Sequence, residues 1–160
     1  MMSGRTLVAY FSASGVTEGV ARMIADVTKG DLFEIVPAKR YSDADLNWRD
    51  SKSRSSVEMN DQKARPAISS HVDRMEEYDT VFVGFPIWWG VAPRLIDTFL
   101  ESYDFAGKTL VPFCTSGGSG VGSSDTKLHK DVSPDADWKP GKLINRADKA
   151  AIEKWIDSLE

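Results

Sequence analysis

Residues 7–24 read LVAYFSASGVTEGVARMI, and this stretch decides the fold. Leu7 to Phe11 is a continuous apolar run, which is typical of a strand buried on both faces. After Thr17, apolar residues recur at i, i+3, i+4 and i+7, which is the spacing of an amphipathic helix. These residues are Val20, Met23, Ile24 and Val27. The stretch therefore predicts a buried strand, a short loop and a helix.

The loop from Ser12 to Thr17 holds three hydroxyls and a glycine. It leads into a helix N-terminus, where unpaired N–H groups and the helix dipole favour an anion. Ser12, Ser14 and Thr17 can donate hydroxyl protons without adding charge, and Gly15 lets the backbone approach a ligand closely. Because the loop has neither Lys nor Arg, it suits a phosphate monoester held by neutral hydrogen bonds. For Ser14 alone, an ordinary helix N-cap is an equally good explanation.

The length of the chain is that of one domain, spanning residues 1–160. A net charge of −4 argues mildly against nucleic acid as a partner. The single cysteine, Cys114, excludes an intramolecular disulfide and fits a reducing compartment, so we expect a cytoplasmic protein. The N-terminal apolar run is too short for a signal peptide or a membrane span.

Further strands and helices alternate along the rest of the chain. Glu34 interrupts the second predicted strand, as at a sheet edge, and Pro112 is unusual inside a central strand. About five alternations predict an α/β fold with a three-layer, doubly wound, five-stranded parallel sheet. The pattern predicts strands over 31–36, 80–84, 109–114 and 142–144, and helices from Pro93, over 121–132 and over 147–159.

Two segments carry more specific expectations. In the helix that Pro93 opens, we expect Asp97 and Glu101 to face outward, opposite an apolar face. The segment 39–70 has little apolar periodicity and is too long for a structureless loop, so we expect a short irregular helix over 53–63. This segment, including Trp48, either covers the core or folds over a ligand.

Three unusual loops, 12–17, 85–90 and 115–120, each follow a predicted strand. In open parallel sheets, ligands lie beyond the carboxyl ends of the strands, so we expect these loops on one rim. The second loop offers a large apolar surface, and the third offers backbone N–H groups and small hydroxyls. A ligand that matches all three has a phosphate at one end and a planar heterocycle at the other. Trp88 and Trp89 would point in opposite directions in an extended loop, so at least one is expected to pack into the protein.

Ser12-Ala-Ser-Gly-Val-Thr17 resembles the flavodoxin phosphate loop, S/T-x-S/T-G-x-T. Gly84-Phe-Pro-Ile-Trp-Trp-Gly90 and Thr115-Ser-Gly-Gly-Ser-Gly120 resemble the two flavin-ring loops of that family. The resemblance covers nearly the whole chain and implies the strand order 2-1-3-4-5, with FMN at the switch point. The residues that it implies for FMN are Ser12, Ser14, Gly15, Val16 and Thr17 at the phosphate, Pro86, Ile87, Trp88, Trp89 and Gly90 along the isoalloxazine, and Thr115, Ser116, Gly117 and Gly118 at its pyrimidine side.

The resemblance implies a short-chain electron carrier that shuttles electrons between redox partner proteins. The sequence departs from the flavodoxin pattern in two ways: the third loop lacks an aromatic residue, and the chain is less acidic than many flavodoxins. Phe85-Pro-Ile-Trp-Trp89, with Pro93 after it, also resembles the ring loop of flavin-dependent quinone reductases. The alternatives are therefore an FMN-dependent NAD(P)H:quinone oxidoreductase and a flavin module for regulation or storage. We expect no catalytic side chain and no metal site, with His71 and His129 at the surface and Cys114 as a small buried filler.

Overall fold

The computed structural model describes residues 5–12, 15–47, 49–61, 63–87, 92–115, 128, 131–132, 134–139, 141–146 and 148–159. Within them, parallel strands form one sheet with helices on both faces. The strands are β1 Thr6–Tyr10, β2 Asp31–Glu34, β3 Thr80–Pro86, β4 Thr109–Thr115, β5 Asp137–Trp138 and β6 Lys142–Leu143. The helices are α1 Val16–Thr28, α2 Arg54–Asn60, α3 Arg94–Glu101 and α4 Lys149–Ser158, with a short 3₁₀ helix at Met75–Glu77.

The sheet has the order β2-β1-β3-β4-β5, and β6 also pairs with β4. The predicted doubly wound parallel sheet in the order 2-1-3-4-5 is confirmed. Its fifth position differs in detail, because two short strands share it: β5 pairs with the start of β4, and β6 pairs with Phe113 and Cys114. At the other edge, β2 is largely exposed, as the interruption at Glu34 predicts.

Pro112 lies inside β4, opposite Val83 of β3. The carbonyl of Leu110 accepts from Lys139 N at 2.8 Å, and the carbonyl of Cys114 accepts from Ile144 N at 2.8 Å. Since alternate residues of a strand face the same neighbour, the nitrogen of Pro112 faces the break between β5 and β6. A proline is tolerated at this central position because no ladder hydrogen bond is needed from its nitrogen.

Alternating residues of the strands feed two apolar clusters, one on each face of the sheet. On one face, Val8 and Phe82 pack with residues of α1 and α4, including the fully buried Ile24. On the other face, Leu7 and Val81 belong to the cluster that contains the inner side of α3. The predicted inward residues of that helix are all fully buried: Leu95, Ile96, Phe99 and Leu100.

Asp97 does not face outward, and that prediction is wrong: only 7% of the residue is exposed. The side of α3 opposite the apolar face is covered by the 39–70 segment, whose Arg65 Nη2 lies 3.8 Å from Asp97 Oδ2. Glu101, one turn later, is exposed as predicted. Because the covering segment has little apolar periodicity, no local pattern predicts that it shields this helix.

The segment after β2 contains the predicted short helix, α2, which begins after the N-cap Ser53. The two ends of the segment are joined by an antiparallel bridge between Pro37 and Ile68. Flanking this bridge, Ala38 N donates to Ala67 O and Ser69 N donates to Val36 O, both at 2.8 Å. The segment is thus a closed excursion, which we call the 37–68 excursion. Most of the helix predicted over 121–132 falls outside the described residues.

Candidate functional site

Thr115, the last residue of β4, joins the three loops that follow β1, β3 and β4. Its hydroxyl is 2.8 Å from the hydroxyl of Thr17, which lies 98 positions earlier in the chain. Its carbonyl accepts from Ile87 N, in the second loop, at 2.9 Å. The third loop starts at Thr115 itself. The described ends of the three loops therefore meet at the carboxyl edge of the sheet, where the strand order predicts a ligand site.

The first loop places Gly15 at the N-cap of α1 with φ 92°, a left-handed conformation that favours glycine. Ser12 Oγ accepts from Gly15 N at 3.0 Å and from Glu18 N at 3.2 Å. With its acceptor sites engaged in this way, the Ser12 hydroxyl still has its own proton to donate. Ser12 therefore both closes the loop and can act as a neutral donor, although Gly15, and not Ser12, is the capping residue.

Val16 and Thr17 are the first two residues of α1, so their N–H groups point out of the helix N-terminus. Val16 is 45% exposed. Thr17 is only 2% exposed, with its hydroxyl against Thr115. Ser14, predicted beside them, lies outside the described residues.

A carboxylate in the first turn of α1 was not anticipated as part of this site. Glu18 is half-buried, and its Oε2 lies 2.7 Å from Arg22 Nη2 and 3.0 Å from Arg22 Nε. This forked ion pair offsets the negative charge that Glu18 would otherwise place beside an anion. The i, i+4 spacing of Glu and Arg is the signal that predicts the pairing.

The second loop is described only at its start, where Pro86 and Ile87 are half-buried and Ile87 packs against the apolar cluster on the α3 face. The remaining predicted ring contacts lie outside the described residues: Trp88, Trp89, Gly90, Ser116, Gly117 and Gly118. Two residues with other predicted roles, Trp48 and His129, also lie outside them. Their roles stay predictions.

The 37–68 excursion is anchored next to the first loop by Tyr41. The Tyr41 ring lies 5.7 Å from the ring of Phe11, the residue before Ser12. The Arg54 guanidinium covers the same ring at 3.9 Å from its centroid, and the Tyr41 hydroxyl donates to Glu58. Burial, and then the hydrogen bond and charge of Glu58, raise the pKa of Tyr41. Tyr41 and Arg54 are 13 positions apart, so sequence spacing did not reveal this cluster.

A second polar cluster lies beside α3. The carboxyls of Asp97 and Asp131 lie close enough to shift each other's pKa, and the charges of Arg65 and Glu101 act on both. Burial, followed by the charges of Asp97 and Glu101, raises the pKa of Asp131 to about 7. Burial also raises the pKa of Asp97, against the charges of Arg65 and Arg94. Both carboxyls are therefore harder to ionise than an exposed Asp side chain.

Several other predictions concern the described part of the chain. Cys114 is buried, as expected of a small filler, and His71 is exposed with its Nδ1 3.3 Å from the Tyr103 hydroxyl. Among the residues described, no cluster of His, Cys, Asp and Glu could hold a metal ion. No helix in the described ranges is long and apolar enough to cross a membrane.

The sequence matches the flavodoxin family over residues 5–159. A candidate flavoprotein from Bacteroides eggerthii is 52% identical, with 98% of each chain covered and a TM-score of 0.93. A second, from Bacteroides uniformis, is 49% identical, with 98% of this chain and 99% of the other covered and a TM-score of 0.91. A flavoprotein from Lactobacillus acidophilus, in complex with FMN, shares the fold at 21% identity, covering 96% of this chain and 99% of its own, with a TM-score of 0.70. None of the curated proteins matches the sequence. Because the match spans almost the whole chain and agrees with the observed strand order, the protein belongs to the flavodoxin family.

Proposed function

We propose that this protein binds FMN at the rim where its three loops meet, and that it carries electrons between redox partner proteins. Membership of the flavodoxin family supports FMN as the cofactor, since flavodoxin holds FMN at this switch point of the sheet. The observation that carries the proposal is the contact of all three loops through Thr115. It joins the loop suited to a phosphate to the two loops suited to a ring.

The residues of the first loop fit a phosphate monoester. Gly15 adopts the left-handed turn that opens α1, and a Cβ added there would meet no heavy atom of the described residues within 4 Å. The hydroxyl of Ser12 and the first N–H groups of α1 are neutral donors, while the carboxylate of Glu18 is paired with Arg22. Backbone and hydroxyl donors at a helix N-terminus suit a dianion without a cationic side chain.

FMN supplies the electron-transfer chemistry when it is bound. The contribution of this chain is to hold the phosphate at α1, to position the ring between the second and third loops, and to limit water at the ring. The half-buried Ile87, fixed by its hydrogen bond to Thr115, gives the second loop a defined start. A cytoplasmic location and redox proteins as partners belong to the same proposal.

Two measurements test this function. The flavin released by denaturing the purified protein should co-chromatograph with FMN, and stoichiometric FAD would contradict the phosphate-monoester site.

The FMN-loaded protein, reduced under anaerobic conditions, should pass electrons to an acceptor protein such as cytochrome c. It should oxidise NADH or NADPH in the steady state no faster than free FMN does. Rapid oxidation of NADH or NADPH that is stimulated by a quinone would instead identify an oxidoreductase. This is the alternative suggested by the resemblance of the second loop to the ring loop of quinone reductases.

A further inference from the structure

The hydrogen bond between Thr17 and Thr115 joins two buried hydroxyls at the centre of the proposed site. Thr17 is 2% exposed and Thr115 is 5% exposed, and their oxygens are 2.8 Å apart. Each hydroxyl has one proton to donate and can accept from others. One of the two hydroxyls must therefore be the donor in this bond. The hydroxyl that accepts keeps its own proton, which it can donate to a ligand.

If Thr17 donates to Thr115, the Thr17 hydroxyl has no proton left for a phosphate at the N-terminus of α1. If Thr115 donates to Thr17, the proton of Thr17 is available to the ligand. The second arrangement also makes Thr17 a better donor, because a hydroxyl that accepts a hydrogen bond is polarised toward donating one. An anion at α1 selects this second arrangement, since a phosphate oxygen accepts hydrogen bonds and donates none as a dianion.

We propose that Thr115 is a positioning residue for the phosphate: it donates to Thr17 and so directs the Thr17 proton to the phosphate. The inference rests on the phosphate site proposed above, and it gives Thr115 a role different from the ring contact that the family resemblance implies. It also links the two ends of the ligand. The same residue accepts from Ile87 N through its carbonyl, so it contacts both the proposed phosphate donor and the start of the ring loop.

The test compares the affinities of FMN and riboflavin, which differ by the phosphate, for Thr17→Val, Thr115→Val, Thr115→Ser and the double valine variant. Loss of the Thr17 donor should weaken FMN binding about tenfold to a hundredfold, with little effect on riboflavin. Thr115→Val should weaken FMN binding about threefold to tenfold, again sparing riboflavin, because a neutral hydrogen bond is lost. Thr115→Ser keeps the hydroxyl and should restore the FMN affinity. The double variant should bind FMN no more weakly than Thr17→Val alone, since Thr115 acts through Thr17.

The outcomes separate this inference from the proposed function. If Thr17→Val weakens both flavins equally, the phosphate site itself is wrong. If Thr17→Val is selective for FMN but Thr115→Val weakens both flavins equally, Thr115 touches the ring and the positioning role is overturned. Additive losses in the double variant would also overturn it.

A second measurement uses inorganic phosphate alone as the probe and needs no flavin. Phosphate should raise the melting temperature of the wild-type protein and of Thr115→Ser more than that of Thr115→Val. If Thr115→Val does not fold, Thr115→Ala enters the same comparison with Thr115→Ser. Equal protection of the hydroxyl-bearing and hydroxyl-free variants would overturn the proposal.

Discussion

The ring of Phe113 fills the space in which a side chain at position 84 would stand. A Cβ built on Gly84 would lie 2.1 Å from Phe113 Cζ and 2.3 Å from Cε2. The two residues are direct neighbours in the β3–β4 register. The carbonyl of Gly84 also accepts from Phe11 N at 2.9 Å, so this close packing lies where the chain leaves β1 and β3 for the site loops.

Gly84→Ala should therefore lower the free energy of unfolding by about 1–3 kcal/mol, the usual cost of overpacking a core. Urea unfolding measures the change. Gly19→Ala is a matched control, because a Cβ at position 19 of α1 meets no heavy atom of the described residues within 4 Å, and alanine favours a helix. This control should gain up to about 1 kcal/mol. A Gly84→Ala protein as stable as wild type would show that Phe113 moves aside at little cost.

Much of the fold is predictable from local pattern. Apolar runs predict the central strands, and the hydroxyl-rich loop before α1 carries the phosphate site proposed above. Contacts between segments distant in the chain were not predictable. The Thr17–Thr115 hydrogen bond spans 98 positions. The burial of Asp97 depends on Arg65, which belongs to an excursion whose sequence has no clear apolar periodicity. Such contacts arise from tertiary packing, which neither helical nor strand periodicity encodes.

The two tryptophans of the second loop carry a prediction that rests on sequence alone. Trp89→Ala should weaken FMN binding by about 1–3 kcal/mol and increase the fluorescence of the bound flavin, by analogy with base–aromatic stacking. Trp88→Ala should instead lower the free energy of unfolding, by about 3–5 kcal/mol if the indole is fully buried. Titration of each variant with FMN, following flavin and protein emission together, measures both effects. The reverse pattern would exchange the two assignments.

The Arg54–Glu58 ion pair should contribute more to stability than the Glu18–Arg22 pair, which also joins residues four positions apart. Its side chains are 19% and 14% exposed, and Arg54 also covers the Tyr41 ring and donates to Lys39 O at 2.5 Å. Arg54→Met should lower the free energy of unfolding by about 1–3 kcal/mol, because it removes the cation over the ring and leaves Glu58 without its cationic partner.

Arg22→Met is the control for that measurement. Arg22 and Glu18 are also four residues apart in a helix, but the Arg22 side chain is 63% exposed. Its loss should leave urea unfolding nearly unchanged, since exposed ion pairs contribute little. Equal effects of the two substitutions would mean that the excursion is not anchored through Tyr41 and Arg54.

The Asp97–Asp131 pair should make the folded state less stable as pH rises. Burial and the charge of Asp97 raise the folded-state pKa of Asp131 to about 7, well above its ordinary value. The folded state therefore holds a proton that the unfolded state has already released, so stability is complete below about pH 4 and is lost as pH rises to about 7. Arg65, 3.8 Å from Asp97, and Arg94 on the first turn of α3 limit the repulsion but do not abolish it.

Asp131→Asn should reduce this pH dependence. After allowance for solvent screening, we expect the variant to gain about 1–2 kcal/mol relative to wild type between pH 4.5 and pH 8. Urea unfolding across that range measures the difference at each pH. Asp73→Asn, on an exposed residue, controls for the general effect of removing one negative charge. If the difference between Asp131→Asn and wild type is the same at both ends of the range, the pKa of Asp131 is not raised in the folded protein. If the difference has the opposite slope, Arg65 and Arg94 outweigh burial and Asp131 is held ionised.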